Sequence, residues 1–102
     1  MKIKLHKKFL KQYKKLKANH QKKFKERRDI YLYDQFHPVL NNHPLTGRYS
    51  GYRSFSVTGD LRVIFKHEST DSVILVNLDS HNNLYGWAIS TPAKKFRKLT
   101  SL

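Results

Sequence analysis

Polar and apolar residues alternate in Lys2-Ile3-Lys4-Leu5, which predicts a short first strand with Ile3 and Leu5 facing a core. Phe9, Tyr13 and Leu16 then recur at helical spacing among lysines, so an amphipathic helix is expected from about Lys7 to Ala18. Asn19 is a suitable cap for a second helix from about Gln21 to Gln35, whose faces Phe24, Ile30, Tyr31 and Asp34 mark. His37-Pro38 should end it, because the residue before a proline is pushed out of helical geometry. Turn formers crowd residues 41–51, which reads as a loop.

Three apolar runs follow at hairpin spacing: Tyr52 to Val57, Leu61 to His67 and Ser72 to Leu78. Thr58-Gly59-Asp60 and the polar run Glu68 to Asp71 join them into an antiparallel meander. Val73-Ile74-Leu75-Val76 has no polar alternation, as expected of an interior strand covered on both faces. On the middle strand Arg62 and Ile64 share one face, and Leu61, Val63 and Phe65 share the other. Thr91-Pro92 is a cap and first turn for a short basic helix through Leu99, docked by Phe96 and Leu99. The order predicts a single α+β domain over residues 1–102: a short N-terminal strand, two helices, a three-stranded antiparallel meander and a short C-terminal helix. Helices cover one face of the sheet and leave the other open, so an arginine on the open face is a candidate for chemistry.

Charge sharpens this picture. The 21 Lys and Arg against 7 Asp and Glu give a formal net charge of +14, which points to a polyanionic partner. Residues 1–28 carry +12 of it, the last ten +4, and residues 29–92 are close to neutral at −2. At 38% hydrophobic and 13% aromatic the chain is too apolar for a disordered basic tail. The absence of cysteine excludes a disulfide scaffold, a thiolate metal site and a cysteine nucleophile, and fits a reducing cytoplasm. No run approaches the length needed to span a bilayer, and the basic start lacks the apolar core of a signal peptide, so the whole chain reads as mature, soluble and cytoplasmic.

Four stretches carry a family resemblance: Asn42-His43-Pro44-Leu45-Thr46-Gly47, Gly51-Tyr52-Arg53, Thr58-Gly59-Asp60-Leu61-Arg62-Val63-Ile64-Phe65, and Ser80-His81-Asn82-Asn83-Leu84-Tyr85. In order and spacing they resemble the RelE/ParE toxin superfamily, most closely its YafQ-like branch, over roughly residues 1–86. The resemblance implies a RelE-like microbial ribonuclease fold and a toxin that cuts mRNA, usually on the ribosome, under the control of a cognate acidic antitoxin. It places functional histidines at His43 and His81, an aspartate and an aromatic important for activity at Asp60 and Tyr85, and a phosphate-contacting arginine at Arg62. Arg48, Tyr52 and Arg53 flank the same open face as candidate substrate contacts.

Metal-independent RNA cleavage needs a base for the 2′-hydroxyl proton, a cation for the phosphorane and an acid for the leaving 5′-oxygen. Histidine suits either proton transfer, and arginine presents a planar fork matched to phosphate oxygens. Tyr85 offers a ring face for an unstacked base, while Asp60 is assigned to orienting a histidine. Plainer roles stand beside these: His43 as a turn histidine, His81 as a loop histidine, Arg62 paired with Asp60 or Asp79, Asp60 as a turn residue, and Trp87 as a docking aromatic. Asp34, His37 and His43 are unfavourably spaced for a metal, so neither metal nor cofactor is expected. His6, His20, His37 and His67 read as surface residues, and the N-terminal lysines as an electrostatic funnel for RNA. Two other functions fit the same fold: a ParE-like toxin that binds DNA gyrase, and a non-catalytic RNA- or ribosome-binding module. The histidine pair favours the enzyme. Ser56 and Leu61 stand where the YafQ-like branch has a histidine and a tryptophan, which is what favours the binding module.

Overall fold

The structure is a computed structural model and describes residues 1–80, the side chain of Asp79 excepted. Strand β1 (Lys2–Leu5) is followed by helices α1 (Lys7–Lys14) and α2 (Ala18–Tyr33), then by strands β2 (His43–Pro44), β3 (Arg53–Ser56), β4 (Leu61–Ser69) and β5 (Ser72–Ser80). The five strands form one sheet in the order β1-β5-β4-β3-β2. Strand β1 runs parallel to β5 and every other pair is antiparallel. The α+β architecture, the N-terminal strand and the meander match the sequence expectation; the two-residue strand β2 is an addition. It lies within the stretch expected to be a loop, and Pro44 is accommodated because β2 is the edge strand of the sheet among the described residues. The expected C-terminal helix and Trp87 lie outside the described residues.

Helix α1 starts at Lys7 as expected but stops four residues early, and α2 starts three residues and stops two residues before its expected ends, for local reasons. His6 caps α1, its Nδ1 accepting from the Lys8 amide at 3.1 Å, and Lys11 and Lys14 complement the negative end of the helix dipole. Helix α1 stops at Lys14 because Lys17 adopts extended backbone and becomes the N-cap of α2. Asn19, expected to be that cap, lies inside the first turn. The Gln21 side chain donates through Nε2 to the Tyr13 carbonyl at 3.0 Å, which also accepts from the Leu16 amide at 3.0 Å, so the first turn of α2 is tied to the end of α1. Helix α2 stops at Tyr33, where the Asp34 carboxylate accepts from the Phe36 amide at 3.0 Å and turns the chain. His37, expected as a plain surface residue, caps the 3-10 turn Pro38–Leu40 through Nδ1.

The core lies between the helices and one face of the sheet. Phe9, Phe24, Tyr31 and Leu40 meet Phe55, Val57, Leu61, Val63, Phe65, Val73, Leu75 and Leu78. Tyr31 stacks on Phe55 at 5.5 Å between centroids and meets Phe65 edge-on at 5.4 Å. Its hydroxyl is buried without a hydrogen-bond partner among the described residues, and burial pushes its pKa up to about 12, against the opposing charge of Arg53. Arg27 bolts α2 to the sheet side, donating to the carbonyls of Val39 at 2.8 Å and Ser56 at 3.4 Å.

A β-bulge in β5 decides what the other face carries. Ile64 pairs with Asn77 but Phe65 pairs with Leu75, leaving Val76 as the extra residue. Strict alternation from Val73 and Leu75 would send Asn77 into the core and Leu78 to the open side. The bulge reverses this: Leu78 joins the core, and Val76 and Asn77 both reach the open face. Strand β5 is interior, as expected, but it is not covered on both faces. Val73 and Leu75 are fully buried, whereas Ile74 and Val76 are half-buried, Val76 in a small cluster with Ile64, Leu45, Tyr49 and Tyr52. Where β1 ends, the Gln12 side chain takes over the exposed edge of β5, accepting from the Leu78 amide at 2.8 Å and donating to Asn77 Oδ1 at 3.0 Å.

Candidate active site

The register of β2, β3 and β4 brings His43, Ser54, Ser56, Arg62 and Ile64 to the open face. His43 pairs with Ser54, Ser54 with Ile64, and Ser56 with Arg62, and paired residues in a sheet point to the same side. Arg62 is on the expected face but is not displayed on it: it is only 6% exposed. Its Nε donates to the fully buried Ser54 hydroxyl at 2.9 Å, and its Nη2 to the Asn41 carbonyl at 3.3 Å. These bonds hold the guanidinium flat against the sheet in one orientation, a buried charge kept by fixed donors and acceptors.

Asn41 organises the site through its backbone. It sits in the left-handed region with φ 47° and ψ 47°, a conformation that asparagine tolerates better than most residues. Its carbonyl receives both the Arg62 guanidinium and His43 Nδ1, the latter at 2.7 Å. A carbonyl oxygen can only accept, so Nδ1 of His43 carries the proton. The neutral ring then has its lone pair on Nε2. Arg62 Nη2 lies 3.5 Å from the same Nδ1, so the guanidinium and the imidazole are neighbours gathered on one acceptor.

The other sequence candidates fall in different places. Asp60 is exposed in the β3–β4 turn, its amide donating to Thr58 Oγ1 at 3.3 Å, so the turn role is the one visible for it. Arg53, expected on the open face, is a correction. Its partner in register is Phe65, which puts it on the helix side, where Nε donates to Asn42 Oδ1 at 2.8 Å and the guanidinium lies 5.5 Å from the Phe36 ring centroid. Strand alternation alone separates it from Arg62. Arg48 and the half-buried Tyr52 do line the open face, beside Tyr49 and Lys66. His81 and Tyr85 lie outside the described residues; β5 reaches Ser80 opposite Leu61, at the Arg62 end of the sheet. Among the described residues no three His, Asp or Glu side chains lie close enough to share a metal ion. Asp34, His37 and His43 are each engaged by backbone groups instead.

Sequence reasoning missed Asn41, Ser54, Tyr49 and Asn77. Ser54 was within reach: counting back through a Thr-Gly-Asp turn places it on the same face as Arg62. Asn77 was not, because its side depends on the bulge. The cations of α1 and α2 belong to the helix layer, on the opposite side of the sheet from His43 and Arg62, with Lys8 an exception that lines the open face.

The family described as "Bacterial toxin of type II toxin-antitoxin system, YafQ" matches residues 1–86. No curated protein matches the chain. Among solved structures, YafQ from E. coli strain BL21(DE3) superposes with a TM-score of 0.69 at 22% identity, covering 82% of this chain and 97% of that one. A YoeB/ParE toxin from Agrobacterium tumefaciens gives 0.67 at 19% identity, covering 79% and 99%. The archaeal RelE-RelB complex from Pyrococcus horikoshii OT3 gives 0.63 at 26% identity, covering 78% and 92%. These structures share the fold, and a match along most of its length means that this chain belongs to the YafQ family of bacterial toxins of type II toxin-antitoxin systems.

Proposed function

We propose that this toxin is an endoribonuclease that cleaves mRNA without a metal, by acid/base catalysis at the open face. The observation that carries the proposal is the short contact between His43 Nδ1 and the Asn41 carbonyl, beside the guanidinium of Arg62. With Nδ1 protonated, Nε2 of His43 takes the proton from a ribose 2′-hydroxyl. The 2′-oxygen bonds to phosphorus, the bond to the 5′-oxygen breaks, and an acid returns a proton to that leaving oxygen. The products are a 2′,3′-cyclic phosphate and a 5′-hydroxyl. Arg62 supplies a permanent, preorganised charge for the phosphorane. His81 is the proposed acid, Tyr85 the ring for a displaced base, and Asp60 an orienting carboxylate, all three on the strength of the family resemblance.

The family supports an antitoxin partner, and solved complexes such as E. coli DinJ-YafQ contain one. An acidic segment folding over the +12 N-terminal region suits the charge of this chain. Purified protein added to a translating extract should cut mRNA, and His43→Gln should lower the rate by about 10²–10⁴ while leaving the fold intact. Intact transcripts with the wild-type protein would overturn the nuclease reading. Inhibition of gyrase supercoiling would then favour the ParE-like alternative.

A further inference from the structure

Beyond Ile64 the open face deepens into a groove of about 440 Å³ whose lining includes His6, Lys8, Tyr49, Tyr52, Lys66 and Asn77. We propose that this groove is a nucleotide site for single-stranded RNA, holding a base and phosphate about two positions away from the bond cut at His43 and Arg62. It rests on the nuclease reading for its place in the reaction but not for its chemistry.

The groove has a preset aromatic wall. Tyr49 and Tyr52 meet edge-on at 6.0 Å and 80°, and the Tyr49 hydroxyl accepts from Asn77 Nδ2 at 3.0 Å. Asn77 is in turn held by Gln12, so the bulge and helix α1 together fix the ring. Cations surround the rings. Lys66 Nζ lies 5.4 Å from the Tyr52 centroid, and Lys8 comes from the first turn of α1. The lining carboxylate, Glu68, is engaged by Lys4 at 3.0 Å. Rings flanked by cations suit an unstacked base and its phosphate, and they do so without demanding one base.

Its placement fits a chain and not an isolated nucleotide. Lys66 is four residues along β4 from Arg62, about 13 Å at strand rise, a distance that roughly two extended nucleotides cover. Leu45 and Val76, half-buried and packed over the fully buried Ile64, form an apolar floor between the two ends. An RNA strand laid along β4 therefore meets the reactive pair at one end and the tyrosine wall at the other.

The test is direct binding of a labelled, all-2′-O-methyl hexaribonucleotide, which lacks the nucleophile and stays intact, to the full chain. Lys66→Ala removes an exposed cation, and Tyr52→Leu keeps apolar contact with Ile64 while losing the ring, so both variants should fold, as melting would verify. Each should weaken binding about tenfold, Tyr52→Phe should restore it, and Lys66→Ala should lower the salt slope by about one. An abasic scan of the hexamer should find one position whose loss costs affinity in the wild type and costs nothing in Tyr52→Leu. Unchanged affinity in both variants, equal abasic costs in the wild type and Tyr52→Leu, or no hexamer binding to the wild type would overturn the groove. Binding is read without cleavage, so a protein that shows this pattern yet cuts no RNA loses the nuclease reading and keeps the groove.

Discussion

The two faces of the sheet are made by the same strands and have opposite characters. On the helix side Phe55, Val63, Phe65, Val73 and Leu75 are fully buried in an aromatic core. On the open side the neighbouring residues in sequence, Ser54, Arg62 and Lys66 among them, carry hydrogen-bonding groups and charge. Period-two alternation lets one hairpin specify both, so stability and chemistry can be altered independently by substituting adjacent residues. Along β4, Ile64 is the exception on this side. It is a second, small apolar cluster with Leu45, Tyr49, Tyr52 and Val76, and it joins the reactive end of the face to the groove.

That contrast can be tested by substitutions of decreasing effect. Phe65→Ala on the helix side should cost about 3–5 kcal/mol in urea unfolding, enough to threaten the fold outright, whereas His43→Gln on the open side should abolish most cleavage at little cost in stability. Ser54→Ala tests whether the faces are truly separate. It leaves Nε of the buried Arg62 without its acceptor, so about 1–3 kcal/mol should be lost, together with activity, because Arg62 loses its orientation. Equal activity in Ser54→Ala would show that Arg62 needs no such positioning.

The smallest effect belongs to Tyr31, a polar group on the apolar side. Removing its hydroxyl, which has no hydrogen-bond partner among the described residues, in Tyr31→Phe should raise stability at neutral pH by about 1 kcal/mol. The folded phenol holds its proton up to a pKa of about 12, above the ordinary value of 10.0. The unfolded chain therefore loses that proton first as pH rises, and stability falls between those two values. Tyr31→Phe should remove this part of the alkaline loss, seen as a flatter stability profile above pH 10. An identical alkaline profile in the variant would assign the loss to other groups.

Much of the fold was legible because its signals are local. Alternation in residues 2–5, the Phe9-Tyr13 spacing, the proline after His37 and the Thr-Gly-Asp turn depend on near neighbours, and the described structure follows them to within a few residues at element ends. The assignment of Arg62 to the open face came from the same parity. Helix ends were less legible, because the α1–α2 junction is set by Lys17 backbone and a Gln21 bond across it rather than by the Asn19 side chain.

By itself, then, the sequence determined the α+β class, the hairpin that carries Arg62 and the face Arg62 takes, and the concentration of charge in the first helices. Tertiary structure alone decided that Arg62 is buried and oriented, that its neighbour is His43 through the Asn41 carbonyl, and that Arg53 turns to the helix side. It also decided, through a single bulge, that Asn77 faces the groove and Leu78 the core. The physical reason is separation along the chain. Periodicity fixes which side a residue takes within one element, but an extra residue inserted against a partner strand resets that parity, and a left-handed backbone aims a carbonyl where no pattern of side chains can announce it.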